Sequence, residues 1–254
     1  MDKSRVSLEV DGLKIIGEVY SPSKEGTYPA LCLCHGIPRG TPPDPTDRGY
    51  PSLAERFCAE GFIVMIFNFR GTGLSEGNFD MLGWARDLEA ALDYLYRLGG
   101  VDKGRISVMG FSGGAMVSVY VASKDKRVSS LVTCSCPTKL AFAADRERLE
   151  AFIERQRTIS ITGDRRPSLS LEELAQGIKE ISPLKWIDRI SPRPLLIIHG
   201  ESDEVVVPSQ ALELYQRAGS PKELVMVRGA RHRLRTDENA MSAALDWLKR
   251  VNGL

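Results

Sequence analysis

Long apolar runs are the first thing missing. No window of the chain approaches the eighteen or so apolar residues that a membrane-spanning helix needs. The N-terminus, MDKSRVSLEV, has no apolar stretch of the kind a secretion signal carries. The cytoplasm is therefore the expected compartment, with no membrane partner. An excess of charge of either sign is missing too. Against 34 Lys and Arg stand 33 Asp and Glu, a formal net charge of +1. No basic block offers a phosphate-binding surface, so nucleic acid is not an expected partner. With 43% apolar and 26% charged residues over 254 positions, the composition is that of an ordinary globular protein long enough to bury a sizeable core.

Cysteine is sparse, and its five copies are placed in a way that limits their chemistry. Cys32 and Cys34 alternate in ALCLCHG, and Cys134 and Cys136 alternate in LVTCSCP. On a strand, residues two apart face the same side, so each pair is expected to share one face as small buried hydrophobes. No histidine stands at zinc-ligand spacing from either pair, and a secreted disulfide framework does not suit so long a chain without a signal peptide.

What is present is a regular alternation. RVSLEV, Asp11-Gly12 and LKIIGEVY read as a β-hairpin, because Asp-Gly suits a tight turn between alternating strands. Short apolar runs follow at 30–36, 62–69, 105–110, 129–136, 194–200 and 223–227. Runs apolar at nearly every position suit parallel strands covered on both faces. Between them lie helical periods. Trp84, Leu88, Leu92 and Leu95 share a face, with Asp87, Glu89 and Asp93 elsewhere on the helix. A last helix is expected to open on Thr236 as N-cap and to bury Met241, Ala244, Leu245 and Leu248. The pattern predicts one doubly wound α/β domain behind an antiparallel hairpin. Residues 137–190 break the rhythm, with no convincing strand. Leu149, Phe152 and Ile153 share a helical face there, and Ser170 with Glu173 forms a capping box ahead of Leu174, Ile178 and Ile181. A helical insertion over the active edge is expected, the alternative being an ordinary long connection.

Two serines fit G-x-S-x-G, a pattern too short to decide anything alone. Ser112, in MGFSGGAM, follows a strand directly and precedes a helix whose first residues are small. That is the context of a nucleophile held at a helix N-terminus, where backbone N–H groups favour developing negative charge. Ser75, in GTGLSEGN, lies within a loop and is expected to be a flexible turn residue. A phosphate-binding loop is the other reading of that stretch, but it lacks the G-x-x-x-x-G-K-[ST] form.

A serine hydroxyl needs a base, and the chain offers only three histidines. His35 and His199 each end a strand before a glycine and read as structural. His232, in RGARHRLRT, lies in the last strand-to-helix loop, at the same carboxyl edge as Ser112. Alone it is a surface histidine; with Ser112 it is the candidate base. The acid that fixes the base's tautomer is sought in HGESDEVV. Asp203 is placed to turn back over the strand end, and Glu201 and Glu204 read as solvated.

Ser112, Asp203 and His232 in that chain order, with HGIPRG upstream and SPRPLLIIHGESDEVVVP around the acid, resemble the α/β-hydrolase superfamily. The stretch around the acid resembles small esterases and dienelactone-hydrolase-like or prolyl-oligopeptidase-like hydrolases. The resemblance implies a mostly parallel eight-stranded sheet with helices on both faces, and a small helical cap at 137–190. It implies an oxyanion hole from the N–H of Gly113 and one in the HGIPRG loop. Pro38 has no N–H, which leaves Ile37 as the second donor. HGIP stands where many lipases carry HGGG, which sets the chain apart from lipases. The implied strand order puts one strand between the two cysteine pairs, about 9.6 Å apart and beyond disulfide reach. The implied chemistry is hydrolysis of a small to medium acyl ester through an acyl-enzyme, with no metal or organic cofactor. Peptidase, acylaminoacyl hydrolase or thioesterase activity is the alternative. A non-catalytic binding protein on this scaffold would be expected to lack a triad member, and none is missing. The loop TPPDPTD, at 41–47, is expected to help shape the pocket.

Overall fold

The computed structural model describes residues 1–38, 40, 47–159 and 169–254. Residues 41–46 of the Pro-rich loop lie outside the described residues. The chain opens on β1 (Asp2–Val10) and β2 (Leu13–Ser21), an antiparallel hairpin. Asp11 and Gly12 both take left-handed backbone, φ 52° and 70°, which matches the twist of a two-residue hairpin turn. Six further strands follow: β3 (Tyr28–Cys34), β4 (Ile63–Phe67), β5 (Val101–Phe111), β6 (Val128–Cys134), β7 (Leu195–Gly200) and β8 (Lys222–Val227). They form one eight-stranded sheet in the order β1-β2-β4-β3-β5-β6-β7-β8. β2 joins β4 antiparallel, and every pairing from β4 to β8 is parallel, so the sheet is mixed but mostly parallel.

Helices cover both faces. α1 (Gly49–Ala59) and α7 (Glu238–Asn252) bury Phe57, Met241, Ala244 and Leu248 on one side with Leu31, Leu33, Val64 and Ile66. α2 (Met81–Arg97), α3 (Gly113–Lys124) and α6 (Ser209–Arg217) cover the other, where Trp84, Leu88, Leu92 and Leu95 meet Cys32, Cys34, Met65 and Val108. Burial on both faces is why these strands read as continuous apolar runs. The strand order reverses between β3 and β5, and in open α/β sheets the crevice at such a switch point, beyond the strands' carboxyl ends, holds the ligand. His35 and Ser112 stand at those two ends.

Two expectations are corrected. Cys32 and Cys34 share a face, but Cys134 and Cys136 do not: they enter opposite core layers. β6 ends at Cys134 and Ser135 turns the chain at φ 48°, so strand alternation stops before Cys136. All five cysteines are free and buried. Asp87, off the apolar stripe of α2, is nonetheless fully buried, and both its oxygens accept from the Arg70 guanidinium. The cap of α7 is Asp237, whose carboxylate accepts from Ala240 N at 2.9 Å, while Thr236 ends the preceding turn.

Residues 137–190 contain α4 (Arg146–Ile159), α5 (Leu171–Glu180) and short 3₁₀ turns, with no strand among the described residues. The Ser170–Glu173 capping box is present at the start of α5. Leu149 and Ile153 are buried and Phe152 is half-buried against Phe79 and Phe142. Among the described residues no helix is long and apolar enough to cross a membrane.

Candidate active site

Ser112 sits on the turn between β5 and α3 with φ 51° and ψ −120°, a strained conformation for a residue with a side chain. The surrounding glycines explain how the turn can be so tight. A Cβ on Gly110 would lie 2.6 Å from Ala115 Cα, and one on Gly114 would lie 2.2 Å from the His35 carbonyl. Strand, helix and the loop after β3 thus converge to distances that side chains would prevent. Ser112 N donates to the Cys134 carbonyl at 2.8 Å, pinning the elbow to β6.

The Ser112 hydroxyl lies 3.0 Å from His232 Nε2, and His232 Nδ1 lies 2.9 and 3.0 Å from the two Asp203 oxygens. An ionised carboxylate can only accept, so Nδ1 carries the proton and Nε2 accepts from the serine hydroxyl. The Asp203 Oδ1 also accepts from the Val205 and Val206 N–H groups at 2.9 Å each. Burial pushes the Asp203 carboxyl up, but the hydrogen bonds from His232, Val206 and Val205 outweigh it and hold the acid down to about 2. Glu201 is exposed, and Glu204 meets only the His232 backbone N–H and Arg231, both at 3.4 Å. Of the three acids in this loop, Asp203 alone reaches the imidazole.

Ile37 and Gly113 come together beside Ser112. A Cβ on Gly113 would lie 2.7 Å from Ile37 Cγ1 and 3.6 Å from Ile37 N. Gly36 presses against the Phe111 carbonyl and Ser112 Cβ, each 3.0 Å from where its own Cβ would be. The loop is fixed from behind by His35, whose Nδ1 donates to the Gly36 carbonyl at 2.7 Å while Nε2 accepts from Phe69 N at 3.0 Å. Burial lowers the His35 pKa to about 4, so the ring stays neutral in that network.

Ser75 is placed elsewhere, and not in a flexible loop. It is fully buried, its hydroxyl donating to the Asn68 carbonyl at 2.6 Å and accepting from Ile16 N at 2.9 Å. Several site residues carried no legible signal. Gln156 on α4 donates to the Pro38 carbonyl at 3.2 Å, tying the 137–190 segment to the loop that holds Ile37. Arg235 pairs with Asp47 and lies 5.2 Å over the Tyr50 ring, joining the His232 loop to the start of α1. Only their chain positions, three residues past His232 or beside the Pro-rich loop, hint at these contacts. A cleft of about 1060 Å³ opens over Ser112, lined by Ile37, Phe142, Phe152, Ile159, Val205 and His232 among others. Among the described residues no group of His, Cys, Asp and Glu is gathered to hold a metal.

Similar proteins agree with this architecture. A protein of Mycobacterium tuberculosis is 28% identical over 225 residues, covering 87% of this chain and 69% of its own. The α/β hydrolase GrgF from Penicillium superposes with a TM-score of 0.78 at 21% identity, covering 100% of both chains. The esterase domain of a Rhodothermus marinus protein gives 0.71 at 19% identity, over 98% of this chain and 99% of that one. At such identities these structures establish the fold, which is that of the α/β hydrolases. The model of the prolyl oligopeptidase family matches residues 50–253, most of the chain and all of the elements from α1 to α7, and the protein belongs to that family of hydrolases.

Proposed function

We propose that the protein is a serine hydrolase that cleaves carboxylic esters of small to medium acyl groups through an acyl-enzyme. The observation that carries this reading is the continuous relay from Ser112 Oγ to His232 Nε2 at 3.0 Å and from His232 Nδ1 to Asp203 at 2.9 Å. In this mechanism His232 takes the hydroxyl proton as Ser112 attacks the acyl carbon, and Asp203 stabilises the imidazolium that forms. The N–H groups of Ile37 and Gly113 receive the charge that develops on the carbonyl oxygen. His232 then returns the proton to the leaving alcohol, and water repeats the sequence to free the acid. No metal or organic cofactor is called for. The 137–190 segment acts as a cap, with Phe152 and Phe142 walling the acyl side of the cleft.

Membership of the prolyl oligopeptidase family favours a second reading, in which the scissile bond is an amide. The two are separated by assaying p-nitrophenyl esters of rising chain length beside aminoacyl anilides. Turnover of esters over anilides supports the first reading, and the reverse order replaces it with the second. Absence of turnover on both, together with absence of fluorophosphonate labelling, removes the hydrolase mechanism itself.

A further inference from the structure

The third histidine, His199, is fully buried at the end of β7, and its Nε2 faces two acceptors at once. It donates to the Val206 carbonyl at 2.9 Å, and Asp203 Oδ2 lies beside the same nitrogen at 3.4 Å without a hydrogen bond between them. The other ring nitrogen, Nδ1, is buried with no hydrogen-bond partner. The proton therefore sits on Nε2, where acceptors are, and not on Nδ1, where a buried N–H would be left unsatisfied. Val206 is also the residue whose N–H binds Asp203 Oδ1. One peptide segment thus donates to the acid through its N–H and accepts from His199 through its carbonyl, closing a ring around the carboxylate. Asp203 stands between two imidazoles, with His232 at 2.9 Å and His199 at 3.4 Å from the same Oδ2.

We propose that His199 is a positioning residue for the catalytic acid: its neutral Nε2–H holds the Val206 peptide, whose own N–H binds Asp203 Oδ1, and so keeps the carboxylate in line with His232. The proposal rests on Asp203, His232 and Ser112 acting as a triad. The backbone leaves His199 little room to serve otherwise. At the next residue, Gly200, a Cβ would come 2.3 Å from the Ala230 carbonyl, so the strand end is clamped against the His232 loop. The titratable groups that act on the ring are Asp203 and His232, the first favouring its charged form and the second opposing it. Burial opposes that form most of all and keeps the ring neutral.

Removing the donor has two consequences. The Val206 peptide loses its anchor and its N–H its aim at Asp203, which slows the reaction, and a carboxylate with one donor fewer stabilises imidazolium at His232 more. The acid limb of the pH profile then moves to higher pH. The test is the rate of fluorophosphonate labelling of Ser112 against pH for His199→Gln and His199→Leu. Gln places an amide N–H where Nε2 stands, and Leu keeps volume without a donor. In the Leu variant, labelling is expected to fall about ten- to a hundredfold, as for comparable misplacements of catalytic groups. Its acid limb is expected to rise by about half a pH unit, and Gln to recover most of both. A folded Leu variant with parental rate and pH limb overturns the proposal, as does a Gln variant as impaired as Leu. If Leu does not fold, Gln is compared with His199→Asn, whose amide is too short to reach the Val206 carbonyl; equal profiles for the two overturn the proposal. Failure of the triad reading is seen separately, as unchanged labelling in Asp203→Asn.

Discussion

The two G-x-S-x-G turns share a pattern, an edge of the sheet and almost nothing else. At Ser112 the glycines let a helix and a loop press so close that the serine is forced into a strained backbone with its hydroxyl toward His232. At Ser75 the glycines let the chain fold back so that the hydroxyl is consumed by the backbone of Asn68 and Ile16. The second turn is a support for the first site. Thr72 and Phe69, at its start, hold the Nε2 side of His35, whose other nitrogen fixes Gly36 beside Ser112. Phe79, just past it, packs edge-on against Phe152 of α4 at 5.0 Å. A motif of this kind specifies that the backbone must approach something closely; which partner it approaches decides whether the hydroxyl is free to react.

The sharpest test of that difference exchanges each serine for alanine. Ser112→Ala is expected to abolish fluorophosphonate labelling and to lower ester turnover by about 10⁵- to 10⁶-fold, with little change in melting temperature. Ser75→Ala is expected to retain labelling and most turnover but to lose roughly 1–3 kcal/mol of stability, because it takes the hydrogen-bond partner from the half-buried Ile16 N–H and Asn68 carbonyl. Labelling lost in Ser75→Ala and kept in Ser112→Ala breaks the comparison outright. Next in size is Asp203→Asn, expected to cost about 10⁴-fold in turnover by fixing the wrong imidazole tautomer. Glu204→Gln, whose contacts with the 231–232 segment are long at 3.4 Å, is expected to stay within a few-fold of the parent. Equal losses at both positions would show that the assay reads the fold of the loop and not one carboxylate.

Much of this was legible in the sequence because each signal was local and strong. Six apolar runs separated by helical periods left few alternatives to a doubly wound sheet, and three histidines left few candidates for a base. The candidate triad was legible because its three members follow three recognisable strand ends, those of β5, β7 and β8. Several features escape because the partner is distant in sequence. Nothing in the helical period marks Asp87 as buried until Arg70, on another segment, is placed against it. Ser75 reads as flexible until the β2 backbone supplies Ile16 N. Gln156 has no legible role until α4 lies over Pro38, whereas His199 reads as a turn residue although Val206 and Asp203 stand only seven and four residues on, because the turn that brings them back is not encoded in a pattern. Cys136 was misplaced for a shorter-range reason, since strand alternation holds only while the strand lasts.

Acid titration sharpens the contrast between the support and the site, because each contains a group shifted by its surroundings. His35 in the support has its pKa lowered to about 4, so the unfolded chain takes up its proton first as pH falls. Its contribution is fully present above pH 6.5 and is lost as pH drops toward 4, about 3 kcal/mol in all. Asp203 in the site is shifted down from 3.8 to about 2, so its contribution of about 2 kcal/mol persists to pH 4 and is lost between there and pH 2. Stability measured by denaturant against pH is therefore expected to fall in two stages, the first dominated by buried histidine. In His35→Asn the first stage should shrink and the second remain. A single loss confined below pH 4 in the parent would show that His35 is not held neutral by the fold.

The smallest expected effect concerns the contact between the two regions, Phe152, which touches Phe79 beyond the Ser75 turn and lines the cleft over Ser112. It stacks on Phe142 with ring centres 4.1 Å apart, so the two rings present one apolar wall. Shortening it to alanine removes contacts to a long acyl chain while leaving Ser112, His232 and Asp203 in place. Each methylene contact in such a pocket is worth about 1–3 kcal/mol, enough to reorder substrates without disabling the chemistry. Phe152→Ala is therefore expected to shift the preferred p-nitrophenyl ester toward a different chain length, while its labelling rate with a small fluorophosphonate stays within a few-fold of the parent. If Phe152 serves only to seat α4 on Phe79, the variant will melt earlier and keep the parental chain-length profile. A combined Phe79→Ala and Phe152→Ala variant separates the two roles: seating predicts that the second change adds little to the stability already lost, because both rings make the same contact. A wall predicts that the chain-length profile follows Phe152 whether or not Phe79 is there to support it.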